Sequence, residues 1–485
     1  MAYDESRPSF HILVSLIEIW NPVDKSGNAL TPQEMMVPSG SPDTIITEVQ
    51  SLEIRESYRN VVGTASIKFP RGTIIRKTIE ATDPEKYSSA VTAGIDSQGA
   101  LIETRANSDL AKTSDFSVGS RIRIYLGYTT SHEVYKMTKV IKGKPSIYTD
   151  DGMYNKYKGY LTRMFDGYIT KCSVDAPIEI ECSDLAYLTK CVSCKKIVTT
   201  NQSTVKQILN PKGVDGGLYG LLSKTGLKLH PDTENIVVGK CSITTDFTVF
   251  DILNQWHKWK IFPYLSWDNE GNPCIAVRNT YFSGGKGSLV DADRTVNEAI
   301  DFQYHVADNG LELMDTDKKS LAIHATSKDN DDKKTTTLTL MSNPDWKEGD
   351  DESERWRVVN ETKISKRAMK KHHIRMVSEG SSKVNLSEYT VVEYQSRAIG
   401  LTHDELLKEA IAFYDAYNMN GIEGTITLFG DLKVRTADIV ELNDARFPMK
   451  NGKYLVEEVV TRFGVNGFRQ TIRLPYCLER GSQKK

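Results

Sequence analysis

Seven cysteines are the first residues in this 485-residue chain with obvious chemistry, and four fall close together: Cys172, Cys182, Cys191 and Cys194. Cys191 and Cys194 form a CxxC pair, a spacing that offers two thiolates to one tetrahedral zinc, with Cys172 and Cys182 available to complete the set. Those last two lack the paired spacing and read as isolated strand positions, so buried, idle thiols are the competing reading. An odd count at low density argues against a disulfide framework and for reduced thiols.

The other candidates also have bland alternatives. Glu179 and Glu181 are two apart on a strand pattern and share a face, so they could supply the paired carboxylates of a glycoside hydrolase; a solvated, salt-bridged face explains them as well. Trp256 and Trp259 could stack on a sugar, yet they extend the apolar helical stripe of Val249, Ile252 and Leu253, where tryptophan is core. Gly284, Gly285 and Gly287 around Lys286 offer backbone amides to an anion, or form a plain flexible connection. His372 and His373 lie in the one basic patch, residues 366–375; as neighbours they point to opposite sides of a strand and have no acidic or cysteine partner nearby. No nucleophile elbow, P-loop, zincin helix or dinucleotide fingerprint occurs. The sequence thus nominates no catalytic, cofactor-binding or metal-ligating residue.

Composition narrows the classes. At 39% hydrophobic and 26% charged residues the chain is an ordinary globular one. Lys plus Arg is 62 against 64 for Asp plus Glu, a net of -2, which leaves no basic field for specific nucleic-acid recognition. No stretch approaches the roughly 18 apolar residues of a membrane span, so membrane insertion is not expected. Asp4, Glu5 and Arg7 stand where a secretory signal needs a basic then an apolar run, and folding in a cytoplasm is expected. The length exceeds what one core usually supports and predicts about three domains.

The elements that would position these residues follow three regimes. Residues 1–183 are strand-rich: 45–56, 61–69 and 118–128 alternate, and in the last Ile122, Ile124 and Leu126 share one face while Arg121, Arg123 and Tyr125 share the other, as in a half-buried strand. Residues 165–173 and 178–183 form a hairpin across a turn at 174–177. A small antiparallel barrel is predicted, interrupted by long loops at about 79–114 and 129–160. Residues 184–288 turn helical, with Asn201 or Ser203 and then Asp246 as helix caps, and end in a hairpin of 261–267 and 274–279: an α+β insert. Residues 289–476 return to strands, with a charged excursion at about 315–379 that reads as an exposed hairpin or loop. Thr402 and Glu405 make a capping box for a helix carrying Leu406, Leu407, Ala410, Ile411, Tyr414 and Tyr417. Four strands follow, 423–429, 438–442, 452–463 and 467–475, and 477–485 is a polar tail.

Four stretches carry a resemblance. They are Phe165-Asp166-Gly167-Tyr168-Ile169 with Ile178 through Leu185; Thr248 through Asn254 with Pro263-Tyr264-Leu265 and the 268–272 turn; the helix from Thr402 with Gly424 through Gly430; and Gly452 through Val459 with Gly467 through Leu474. In content and order they resemble the tail hub family: the baseplate hub of contractile phages, the late control protein D group and the hub part of the type VI secretion spike. The long loops and the charged segment depart from the family pattern.

The resemblance implies a mainly β chain of two related small antiparallel β-barrels around an α+β insert, three copies closing into a trimeric pseudo-sixfold ring. It implies a structural, non-enzymatic homotrimer that joins a hexameric tail tube protein to a central spike protein, also touches other baseplate or tape-measure proteins, and lines a channel for genome or effector. No cofactor is implied. The expected location is the virion tail baseplate, assembled in the host bacterial cytoplasm. With only 477–485 after Tyr476, spike and lysozyme are expected to be separate proteins. The two barrels are expected to superpose despite the lack of a visible repeat, and Ile426→Asp or Val456→Asp, if those residues face inward, to unfold the barrel rather than loosen the ring. The alternative class is a cell-wall or polysaccharide hydrolase on a β scaffold. A receptor-binding protein is a third, disfavoured because the clearest Trp residues lie on a helical core stripe.

Overall fold

Alternating apolar residues in the first part of the chain become eight strands: β1 (His11–Trp20), β2 (Thr44–Ile46), β3 (Ser51–Ser57), β4 (Thr64–Lys68), β5 (Arg76–Lys77), β6 (Arg121–Thr130), β7 (Leu161–Cys172) and β8 (Glu179–Asp184). The computed structural model describes residues 11–23, 28–38, 40–70, 76–77, 116–138, 151–173, 177–200, 203–233, 236–239, 241–257, 261–279, 295–314, 321–328, 335–342, 356–359, 374–377, 389–396, 401–417, 421–430 and 432–480. The odd residues of β1 and the even residues of β6 point into one core with Ile54, Ile67, Phe165 and Ile180. The β7–β8 hairpin forms as the sequence predicts, Tyr168 opposite Ser183 and Ile169 opposite Cys182.

The stretch expected as a loop at 129–160 is different. β6 runs to Thr130, and two helices follow, α1 (Ser131–Thr138) and α2 (Asp151–Gly159). They cover the outer face of β1 and β6, burying Met137 and Tyr157 against Val14, Leu16 and Tyr125. Helices this short do not hold alone in water, so this packing sustains them. The other expected loop, 79–114, lies outside the described residues.

The insert contains short strands β9 (Ile197–Val198), β10 (Lys228–Leu229) and β11 (Ser242–Ile243), the hairpin of β12 (Ile261–Trp267) and β13 (Pro273–Asn279), and helices α3 (Val205–Leu209) and α4 (Val249–His257). Neither helix uses the cap expected from sequence. Thr204 caps α3 in a capping box with Gln207. Thr248 and Asp251 do the same for α4, displacing Asp246. In each case the cap and the residue three further on satisfy each other's amides reciprocally, which a cap one to three residues earlier cannot do.

After the insert come β14 (Glu298–Asp301), β15 (Val306–Met314), β16 (Leu321–Lys328), β17 (Thr335–Ser342), β18 (Trp356–Val359), β19 (Ile374–Val377), β20 (Thr390–Gln395), helix α5 (His403–Tyr417), then β21 (Gly421–Phe429), β22 (Ile439–Asn443), β23 (Gly452–Leu455), β24 (Glu458–Gly464), β25 (Gly467–Leu474) and β26 (Tyr476–Arg480). The charged excursion is more ordered than an exposed hairpin: its described residues supply four strands of a five-stranded sheet, β19-β18-β17-β16-β20, with Ile323, Leu338, Leu340 and Val358 packed on α5. The single strand expected over 452–463 is two. The chain changes sheets at Val456 and Glu457, whose amides bond the carbonyls of Asp438, just before β22, and of Arg473 in β25. Residues 477–480 of the expected tail belong to β26, which pairs with β23.

The largest departure is in the sheets. Instead of two separate barrels, one twelve-stranded sheet runs β15-β21-β25-β24-β3-β4-β8-β7-β6-β1-β2-β5, and a four-stranded sheet, β14-β22-β23-β26, backs its second half. The seam is the antiparallel pair β3–β24, from Ser51 opposite Gly464 to Ser57 opposite Glu458. One sheet thereby serves two cores. Phe463 and Phe468 from the second half join the first core, while Ile426, Val456, Val459 and Ile472 make the second with Ile300 and Val440. Ile426 and Val456 are buried in the second core. The fold is mainly β with few helices, and among the described residues no helix is long and apolar enough to cross a membrane.

Candidate functional site

None of the sequence candidates assembles into a reactive centre among the described residues. Cys182 is buried in the first core with Cys172 packed beside it, Cys194 belongs to the insert core, and exposed Cys191 donates to the Tyr187 carbonyl. Burial pushes the thiols of Cys182 and Cys194 up, away from thiolate chemistry. No group of three or more His, Cys, Asp and Glu among the described residues could hold a metal. Glu179 pairs with Lys68 at 2.6 Å and Glu181 with Lys171 at 2.8 Å, a salt-bridged strand face. Trp256 is core. Trp259, His372, His373 and the glycines at 284, 285 and 287 lie outside the described residues.

The notable chemistry lies on a face that the sequence presents as solvent-exposed. Arg121 and Arg123 of β6 stand opposite Tyr168 and Asp166 of β7, and Glu18 of β1 stands opposite Arg123. Glu18, Arg121, Asp166 and Tyr168 are buried, and Arg123 is partly exposed. Asp166 lies 2.6 Å from Arg121, 3.2 Å from Arg123 and 3.6 Å from Arg163. Arg121 is further stacked over Tyr168, whose hydroxyl, buried and pushed up to about 12, donates to the Pro32 carbonyl. Glu18 accepts from Lys158 at 2.6 Å and from the Tyr154 hydroxyl, which ties α2 to the sheet.

This charged row ends at a junction where all three parts of the chain meet. Tyr58 from the first part, Phe262 and Tyr264 from the insert, and Ile439 and Leu455 from the second part form its apolar half. The charged half surrounds a void of about 10 Å³ lined by Glu56, Arg163, Asp166, Asp184, Trp267 and Arg435 among others. Trp267, from the insert, lies between guanidiniums of the other two parts, 4.4 Å from Arg163 and 5.9 Å from Arg435. Asp184 accepts from the amides of Gly63 at 2.6 Å and Ala186 at 2.9 Å. The approach at Gly63 is so close that a Cβ there would lie 2.7 Å from the carboxylate. Burial raises Asp184 to about 8, opposed by its two amide bonds, and raises Asp438 to about 7. Raised carboxyls mark candidate general acids. Here the void holds about one water and admits no sugar ring.

The outer strands of the large sheet complete the picture. β15 pairs with β21 only, and residues 307–310 and 312 along it are exposed. It has a bulge between Val306 and Asp308, and Asp308 and Glu312 are charged, devices that restrain indiscriminate edge pairing. At the other end β2 covers β1 only at Ile17–Ile19, so among the described residues no strand covers the outer edge of 11–16.

No family model and no curated protein matches the chain. Solved structures do. A tail protein from Neisseria meningitidis is similar over 95% of this chain and 96% of its own, at 10% identity and a TM-score of 0.43. The 43 kDa tail protein of prophage MuSo2 from Shewanella oneidensis is similar over 89% and 94%, at 11% identity and a TM-score of 0.41. A Francisella PdpA–VgrG complex is similar over 96% of this chain and 53% of that one, at 10% identity and a TM-score of 0.40. The structural neighbours are tail proteins, one of them from a prophage, and a VgrG-containing complex.

Proposed function

We propose that the chain is a structural hub subunit of a phage tail or related injection machine, three copies closing into a ring that joins a hexameric tail tube to a central spike and lines a channel for genome or effector. Residues 1–183 and 289–476 act as two wall units of each subunit, and 184–288 as the insert between them. The observation that carries this is the β3–β24 seam. A trimer can continue a sixfold wall only if each chain supplies two units already joined by their edges. The sheet leaves β15 and part of β1 as edges at which joints with neighbouring copies can form. In this reading the ring sits at the tail end of a virion or secretion machine, contacts tube, spike and other baseplate or tape-measure proteins, and catalyses nothing.

Light scattering of the purified chain, alone and with candidate tube and spike proteins, tests the reading. The expected mass is three times 54.5 kDa. A monomer under every one of these conditions overturns it.

A further inference from the structure

The loop between β22 and β23 is an apolar knob on a rigid mount. Residues 445–449 are all exposed, Phe447 at 56% and Met449 at 54%. The loop is nonetheless braced. Asp444 accepts from the amides of Arg446 at 2.8 Å and Phe447 at 3.0 Å and from Lys450 at 3.0 Å, and its own amide donates to Asn451 at 2.6 Å. The Tyr454 hydroxyl donates to the Lys450 carbonyl at 2.9 Å, and the Lys450 ammonium lies 4.9 Å from the Phe447 ring. Phe447 is thus held outward before anything binds it, which cuts the ordering cost of docking. Asp444 is spent inside the loop, so the charge that the knob shows outward is that of Arg446. The Phe302 amide donates to the Asn443 carbonyl at 3.0 Å and ties in the neighbouring turn, which adds exposed Tyr304 and leads into the edge strand β15.

A recess of the opposite character borders the stretch of β1, residues 11–16, whose outer edge no described strand covers. Its volume is about 390 Å³, that of a small binding pocket. Leu13, Val49, Pro70, Phe463 and Val465 give it an apolar lining, and Leu13, Val49 and Phe463 belong to the first core, which is open at this point. Its one charged lining residue is Glu48, exposed and without an ion pair among the described residues. Within one chain the two features do not meet: the knob is exposed and the recess is open.

We propose that the recess receives the knob of a second copy of this chain, with Phe447 and Met449 of one copy entering between Leu13, Val49 and Phe463 of the next and Arg446 meeting Glu48. Two observations select a second copy as the occupant. The knob is apolar with a cation and the recess apolar with an anion, so each supplies what the other lacks. The knob also adjoins β15 and the recess adjoins β1, the two open edges of one sheet, so the contact and an edge joint fall at the same boundary between copies. Such a contact is heterologous and, repeated, closes into a ring or runs on as a filament. It rests on the hub reading for closure at three copies, not for the contact itself.

Sedimentation of the full-length protein over a dilution series tests it. Phe447→Ala with Met449→Ala should raise the dissociation constant for self-association at least about tenfold, because a docked aromatic anchor carries much of such a contact. Both residues are exposed, so the far-UV spectrum and the urea midpoint of this knob variant should match wild type. Arg446→Glu and Glu48→Arg each set like charges together and should each weaken association about tenfold or more, while the double swap should recover most of it. The knob variant mixed with the recess variant Glu48→Arg, Val465→Arg should give a heterodimer and nothing larger, since each such pair can make one intact contact only. A knob variant that assembles like wild type, or charge swaps that do not relieve each other, overturns the contact and leaves a trimeric ring standing. A knob variant that keeps its mass but no longer binds a tube or spike protein assigns the knob to that partner and also overturns it. Wild-type assemblies of another size that fall apart in the same variants keep the contact and overturn the ring, and a wild-type monomer at every concentration and with every partner overturns both.

Discussion

Asp166→Ala is the most direct test of the buried charged row. The Asp166 side chain is 2% exposed and faces three guanidiniums, at 2.6 Å from Arg121, 3.2 Å from Arg123 and 3.6 Å from Arg163. These differ in what they can do once the carboxylate is gone. Arg123 and Arg163 are 24% and 33% exposed and can turn to water; Arg121, at 1%, cannot. The cost therefore comes from one stranded buried charge, about 3–5 kcal/mol. Stacking over Tyr168 at 5.1 Å offsets at most about 2 kcal/mol of it. Against a typical total of about 5–15 kcal/mol, that is a large fraction of the stability. The double variant Arg121→Met, Asp166→Leu removes the charge with its partner and should fall much closer to wild type, because an apolar pair of similar volume replaces a desolvated ion pair at little cost. Urea unfolding followed by far-UV circular dichroism on wild type, Arg121→Met, Asp166→Leu and the double gives the coupling energy directly. A loss under about 1 kcal/mol for Asp166→Ala, or a double variant as weak as the sum of the singles, refutes the claim that this face is dry and held by charge compensation.

Three other outcomes are expected. Ile426→Asp puts a charge in the second core and should cost several kcal/mol in urea unfolding, whereas Val465→Asp, at a site 92% exposed, should change stability by less than about 0.5 kcal/mol. Asp184 and Asp438 are raised in the folded chain to about 8 and about 7, above an unfolded value near 4, so the folded chain binds more protons across that interval. Their contribution is greatest in acid, falls as pH rises by at most about 1.4 kcal/mol per unit for each carboxyl, and levels off above the folded values; Asp184→Asn should flatten the urea midpoint against pH, and a midpoint that climbs through that window in wild type relative to the variant contradicts the assignment. Thr402→Ala removes the hydroxyl that accepts from the Glu405 amide and should cost about 1 kcal/mol, seen as faster hydrogen exchange in the first turn of α5 with the β7–β8 hairpin unchanged.

How far the sequence could be read depended on what covers each element. The β7–β8 hairpin and the Thr402 capping box are local, set by a turn and by a three-residue reach, and both were legible. α1 and α2 were not, because SHEVYKMT and DGMYNKYKG carry few apolar residues and depend on a sheet distant in sequence. β6 shows the limit most clearly. Alternation assigns Arg121, Arg123 and Tyr125 to one face, and the strand does put them there. Alternation does not say whether that face meets water, and at Arg121 it does not. The three-part junction was hidden for the same reason: Glu56, Asp184, Trp267 and Asp438 are far apart in the chain and are brought together by tertiary contacts alone.

The same reasoning bears on how a wall could be built from this chain. At the seam, β3 and β24 place Leu52 opposite Phe463 and Glu53 opposite Arg462, with the ion pair at 2.8 Å on the outer face. That exposed pair contributes at most about 1 kcal/mol, so register must come from the apolar side, where a one-residue slip would turn Leu52 and Ile54 out of the first core. The seam is therefore specified by a core that closes around it, with Phe463 and Phe468 supplied by the second half. β15 presents a different edge: exposed, bulged near its start, and carrying Asp308 and Glu312. In the proposed ring, joints between chains would be made at such restrained edges and the joint within each chain at a core-locked one. Breaking the ring should then leave each subunit's twelve-stranded sheet intact, and subunits separated by dilution should keep the far-UV spectrum of the assembled form.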